Sequence, residues 1–187
     1  EPETPDRPDA VPLTECRGDV TVDDVSFGYT ADKPVLQHVS VEARRGQTVA
    51  IVGPTGAGKT TVINLLMRFY DPTEGEIFCN GRNIKEYNLQ KYRALFASAF
   101  QDCRILSLTV AENVLMRRVK EDERSKVEEA LKLAGVYEKV MTLQNGMDTI
   151  LTREFADDGA VLSGGEFQKI GVARAFVREC PVKIFDE

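Results

Sequence analysis

The 187-residue sequence predicts an α/β fold, and four observations carry the prediction. Apolar residues alternate, imperfectly, at Val20, Val22, Val25, Phe27 and Tyr29, the period of a strand with one buried face. Thr48-Val49-Ala50-Ile51-Val52 is apolar after its first residue, as suits a buried parallel strand. That run leads into a glycine-rich segment and then into Val62, Leu65, Leu66 and Phe69 at helical spacing. The charged stretch Glu121–Ala134 keeps Val127, Ala130, Leu131 and Ala134 on one helical face.

Residues 1–17 carry prolines at positions 2, 5, 8 and 12 between acidic residues and are expected to form an extended linker. Strands follow at Asp19–Tyr29 and Val35–Ala43, with a turn at Arg45-Gly46 before the apolar run. The helix Thr61–Tyr70 stops at Asp71-Pro72. A short strand, Glu76–Cys79, ends at Asn80-Gly81, a hairpin signal, and Phe96–Phe100 is a further strand. Thr109-x-x-Glu112 is a capping box that opens a helix, and Gly135 ends the charged helix. A helical insertion is expected over about residues 103–160. A loop with Asp157-Asp158-Gly159 leads to a helix Gly164–Arg178 and a last strand Val182–Phe185.

The formal net charge of -6 argues against a general nucleic-acid-binding surface, though a phosphate site needs only local positive potential. No stretch approaches the roughly 20 apolar residues of a membrane-spanning helix, and the N-terminus does not read as a signal peptide. Cys16, Cys79, Cys103 and Cys180 make no C-x-x-C pair and read as reduced cytosolic thiols. His38 is the only histidine and reads as a surface or sheet residue.

Gly53-Pro54-Thr55-Gly56-Ala57-Gly58-Lys59-Thr60 matches G-x-x-x-x-G-K-[ST] in full, between an expected strand and an expected helix. Glycines let backbone N–H groups approach an anion, and a helix N-terminus adds partial positive charge. Lys59 is placed to bridge β- and γ-phosphates, and the Thr60 hydroxyl to ligate Mg²⁺; the site extends to Thr61. Further on, Leu162-Ser163-Gly164-Gly165-Glu166 heads a helix. Ser163 and Glu166 form a capping box, but the cap does not account for two glycines in a first turn, where each costs about 1 kcal/mol relative to alanine. Glycines there suggest close approach by something else, and the helix N-terminus suits an anion.

With LSGGE following GPTGAGKTT, the sequence resembles the ABC ATPases, whose signature motif is LSGGQ; Glu166 stands in place of the Gln. The resemblance covers about Asp19–Glu187. It implies a P-loop NTPase with a RecA-like core, an antiparallel β-subdomain and a helical signature-motif subdomain, residues 18–187 being the ATP-binding domain. It makes Tyr29, in VSFGY, the aromatic that stacks on adenine. Gln101 becomes the residue that reaches Mg²⁺ and the attacking water. Asp186, after Val182-Lys183-Ile184-Phe185, becomes the Walker B ligand of Mg²⁺, and Glu187 the catalytic base. Lys183 departs from the family's apolar run and must snorkel or lie near the sheet edge.

FGYT, PVLQHVS, LLMRFYDPTEGEI and LTVAENV resemble the nucleotide-binding domains of bacterial ABC exporters. The resemblance implies MgATP, a second nucleotide-binding domain paired head to tail, and transmembrane domains in the same polypeptide, at the cytoplasmic face of the cell membrane. In that pairing Leu162, Ser163, Gly164, Gly165 and Glu166 of one copy close on the phosphate held by the other. Two other readings stay open: a regulatory ATP-binding domain with little hydrolysis, and a soluble, non-transport ABC ATPase acting on ribosomes or DNA ends. The family pattern runs past Glu187 to a switch histidine on a strand between the two Walker strands. The 187 residues alone are therefore expected to be poorly stable and nearly inactive.

Overall fold

The imperfect alternation near the N-terminus has a structural cause in the computed structural model of the protein, which describes residues 18–30, 32–100, 103–152 and 159–186. Strand β1 (Val20–Phe27) buries Val20, Val22, Val25 and Phe27. Its register shifts between Val22 and Val25, and Asp24 there has φ 49°. A bulge inserts an extra residue, so the next inward side chain comes three positions on rather than two. β2 (Leu36–Ala43) and β3 (Glu74–Cys79) flank β1, both antiparallel, and β4 (Arg82–Asn83) closes a hairpin on β3 in the order β2-β1-β3-β4. Asn80 and Gly81 have φ 52° and 75°, the left-handed pair that the Asn-Gly signal predicts for a two-residue hairpin. Gly75 has φ 77°, and a Cβ there would collide with the carbonyls of Asp23 and Asp24 at the bulge. Only glycine lets β3 come this close.

The glycine-rich loop leads into α1 (Lys59–Leu66), and a second, short helix α2 (Leu89–Arg93) ties down its far end. Tyr92 Oη donates to the Leu66 carbonyl at 2.6 Å, and Arg93 donates to Met67 at 3.1 Å and Arg68 at 2.6 Å. The orphan carbonyls at the end of α1 are thus met by side chains. These elements form one compact unit, which takes in the described residues up to Phe96 together with Cys180–Val182.

The second unit is Ala97–Glu179 with the residues from Lys183 on. It holds α3 (Val110–Leu115), α4 (Arg124–Leu133), α5 (Tyr137–Met141) and α6 (Gly164–Val177). Val110, Val114, Val127, Leu131, Leu151 and Ile170 belong to its buried apolar cluster, with α3 and α4 packed on α6. Thr109 and Glu112 make the expected capping box on α3 in both directions. Gly135, at φ 66°, follows the end of α4. β5 (Phe96–Ala99) and β6 (Val182–Phe185) form a two-stranded sheet. Val182 N–H reaches the Leu95 carbonyl and Asp186 N–H the Ala99 carbonyl. Both strands advance four residues between these bonds, so the pair is parallel.

One expected element differs. Residues 48–52 run without a strand assignment, and Val52 is 88% exposed. Among the described residues no strand pairs with them. An apolar parallel strand needs ladder partners at its sides, and a run of Val and Ile cannot supply them alone. No helix among the described residues is long and apolar enough to cross a membrane.

Candidate functional site

Helix α1 starts on Gly58, whose φ of 92° is left-handed and whose lack of a side chain leaves the helix without a side-chain cap. A Cβ at Gly58 would lie 2.7 Å from Leu36 Cδ2, so both conformation and space demand glycine. No N-cap side chain covers the start of α1, and a helix N-terminus of this kind suits an anion. Before it, Ala57 N–H bonds the Pro54 carbonyl at 3.1 Å and closes the turn. Lys59 Nζ donates back to the carbonyls of Gly53 at 2.8 Å and Pro54 at 2.9 Å. The loop thus wraps its own ammonium, holding a positive charge at the helix N-terminus. Gly53, Thr55, Gly56, Ala57 and Thr60 are exposed along this loop.

Tyr29 lies in the same unit, with its hydroxyl 3.3 Å from Thr61 Oγ1 and accepting from Asn64 Nδ2 at 3.1 Å. Its ring stands edge-on to Phe27 and Tyr70, at 5.1 and 5.2 Å between centroids, and remains 49% exposed. Thr61 itself is buried. Sequence reading missed Asn64. Its only signal is a polar residue inside the apolar run Val62–Leu66, one turn after Thr60.

In the second unit, Ser163 caps α6: its hydroxyl accepts from Glu166 N–H at 3.3 Å, and the Glu166 carboxylate accepts from Ser163 N–H at 2.7 Å. The bond from that backbone N–H, then the Ser163 hydroxyl, hold the Glu166 carboxyl below its ordinary range, with Lys139 adding charge at 3.8 Å. Glutamate in place of glutamine thus keeps the cap. Leu162 is buried in the apolar cluster. A Cβ on Gly164 or Gly165 would meet nothing within 4 Å. Packing among the described residues therefore gives no reason for either glycine.

Asp186 leaves β6 with its N–H on the Ala99 carbonyl at 2.9 Å. Lys183, the departure from an apolar strand, snorkels as expected: Nζ donates to the carbonyls of Ala175 and Arg178, each at 2.8 Å, at the C-terminal end of α6. The loop residues and Tyr29 thus belong to one unit, and Leu162–Glu166 and Asp186 to the other. Gln101 and Glu187 lie outside the described residues, as do residues 1–17 and the Asp157-Asp158 pair.

The family model described as ABC transporter matches residues 36–187. The chain belongs to the ABC transporter family. Among curated proteins, this ABC domain is 44% identical over 176 residues to an ATP-dependent lipid A-core flippase of Vibrio parahaemolyticus, and 37% identical to that of Yersinia pestis. Each match covers 94% of this chain and 30% of the relative, so the chain spans about a third of the length of these proteins. Among solved structures, a bacterial Atm1-family ABC exporter with ATP bound superposes with TM-score 0.86 at 38% identity, over 99% of this chain and 32% of that one. The α/β fold with its antiparallel sheet and helices is that of an ABC ATPase, a P-loop NTPase, and the homology is to exporters.

Proposed function

We propose that this domain binds and hydrolyses MgATP to drive export of a substrate across a membrane, as the nucleotide-binding domain of an ABC exporter. The observation that carries the reading is the glycine loop closed around Lys59 at the uncapped start of α1. A phosphate group competes with two loop carbonyls for that ammonium and collects the first-turn N–H groups as it does so. Residues 18–187 are read as the ATP-binding domain, with a helical subdomain at about 103–160 and residues 1–17 as the linker.

Thr60, Gln101 and Asp186 offer only oxygen donors, which fits Mg²⁺, and they would hold the ion that neutralises phosphate charge. Gly53, Pro54, Thr55, Gly56, Ala57, Gly58 and Thr61 line the phosphate seat, and Lys59 donates to the β- and γ-phosphates. Tyr29 offers its exposed ring to the adenine. Gln101 orients the attacking water, and Glu187 takes its proton. Leu162, Ser163, Gly164, Gly165 and Glu166 act on the nucleotide held by a second copy, whose approach fits the open space over the two glycines. The partners are thus a second nucleotide-binding domain, head to tail, and transmembrane domains of the same polypeptide at the cytoplasmic face of the membrane. For the 187 residues alone we expect near-inactivity, because Val49, Ile51 and Val52 stand exposed beside the loop.

The test is Glu187→Gln in the full-length protein. Turnover is expected to fall about 10²–10⁴-fold while MgATP still binds. Unchanged turnover would remove Glu187 from the mechanism and favour a different base.

A further inference from the structure

Tyr29 is held by more than sheet packing. Asn64 Nδ2 donates to its hydroxyl at 3.1 Å, and that hydroxyl lies 3.3 Å from Thr61 Oγ1. Asn64 and Thr61 both sit on α1, the helix whose first turn carries Lys59 and Thr60. The ring touches Phe27 and Tyr70 only edge-on, with interplanar angles of 84° and 88°. The edge contacts resist rotation of the ring about its own long axis, whereas a hydrogen bond at the para position, which lies on that axis, pins the tip of the ring and so sets where the platform sits. Asn64 is half-buried while its bond to Tyr29 lies where solvent reaches, so what the bond contributes is orientation of the ring rather than burial.

We infer that Asn64 is a positioning residue for nucleobase recognition, tying the Tyr29 ring to the helix that carries the phosphate loop. This rests on the reading of Tyr29 as the adenine platform. The physical consequence is a fixed span between the stacking face and the phosphate seat. A bound nucleotide must place its base on the ring and its phosphates in the loop at once, so a platform that swings away loses stacking without disturbing phosphate contacts. Asn64 therefore acts on the base and is silent toward phosphate alone.

Equilibrium binding to the full-length protein separates these effects, with MgATP and magnesium tripolyphosphate as probes. Asn64→Leu is expected to raise the Kd for MgATP about threefold to tenfold, the span for one lost hydrogen bond, and to leave tripolyphosphate binding unchanged. Tyr29→Phe removes only the shared hydroxyl and should give a similar loss. The double variant should be no worse than Tyr29→Phe, because that change already deletes the Asn64 contact together with the one to Thr61. Equal weakening of both probes by Asn64→Leu overturns the inference, since the residue would then support the loop itself. So does full additivity with Tyr29→Phe. Tyr29→Ala tests the underlying reading independently: unchanged MgATP affinity there means that the ring is no platform. A clear loss in Tyr29→Ala with none in Asn64→Leu or Tyr29→Phe rejects the tether alone.

Discussion

Asn113 shows how much one polar side chain can organise. It is fully buried on α3, and its amide donates to the carbonyls of Leu106, Leu108 and Thr109 at 2.9–3.1 Å. Its oxygen accepts from Leu106 N–H and from Arg174 on α6. The irregular chain before α3 thus draws hydrogen bonds from this one side chain in addition to the backbone N–H groups of Leu108, Leu151 and Asn113, which reach the same three carbonyls. Asn113→Ala takes the side-chain acceptor from the Leu106 N–H and from Arg174 and is expected to cost roughly 1–3 kcal/mol. The Arg124–Asp148 pair looks comparable on paper, with bonds of 3.0 and 2.7 Å. It lies at the surface, however, so Arg124→Ala should cost about 1 kcal/mol or less. The melting temperatures of the two variants of the full-length protein check the ranking; a larger drop for Arg124→Ala would reverse it. Nothing in the periodicity marks Asn113, because its partners are backbone groups whose positions only the folded chain defines.

Elements were legible wherever a local rule is sufficient. The Asn80-Gly81 hairpin, the Thr109 and Ser163 caps and the strand Val182–Phe185 follow from φ preferences, side-chain oxygens and apolar runs that act within a few residues. The break between Val22 and Val25 also marked the bulge, though alternation alone does not say so. Thr48–Val52 fails for the opposite reason: a parallel strand is a property of its neighbours, and composition cannot provide them. The short helices α2 and α5, five residues each, carry too few turns to show a period, and tertiary contacts decide them. The phosphate loop was legible as a motif, whereas the Asn64–Tyr29 bond joins residues 35 positions apart and was not. Lys183 lies between these cases. Its misfit in the strand was visible, and its role as a cap on the α6 carbonyls was not. An ammonium at a helix C-terminus contributes about 1 kcal/mol in partly buried geometry. Lys183→Met, which restores an apolar strand, is therefore expected to lower the stability of the full-length protein by about that amount, and Lys183→Arg to recover part of it. An unchanged melting temperature in Lys183→Met would mean that better strand packing offsets the lost cap.

At the scale of the whole molecule, the two glycines of the capped α6 set the sharpest test, because stability and activity should part company there. Neither position meets anything within 4 Å, and neither has a left-handed φ. Alanine at Gly165 should therefore leave the fold intact or stabilise it slightly, by up to about 1 kcal/mol from helix propensity. On the proposed head-to-tail pairing, a nucleotide brought in by a second copy would meet the new methyl group instead of open space, so hydrolysis should fall. Head-to-tail pairing makes a further demand. If the phosphate loop of one copy works with the LSGGE helix of the other, Lys59→Met and Gly165→Ala damage sites in a crossed pattern. In a mixed pair, the Lys59→Met loop faces the Gly165→Ala helix, and both defects fall in one site. The other site then keeps an intact loop from the Gly165→Ala copy and an intact helix from the Lys59→Met copy. Full-length subunits carrying one change each, mixed and reassembled, should recover tight nucleotide retention at one site per mixed pair, whereas either variant alone should show little. Retention is the better readout than turnover, since it reports a single closed site. If the two motifs instead serve the same copy's nucleotide, the mixture contains no intact site, and retention stays at the level of the separate variants.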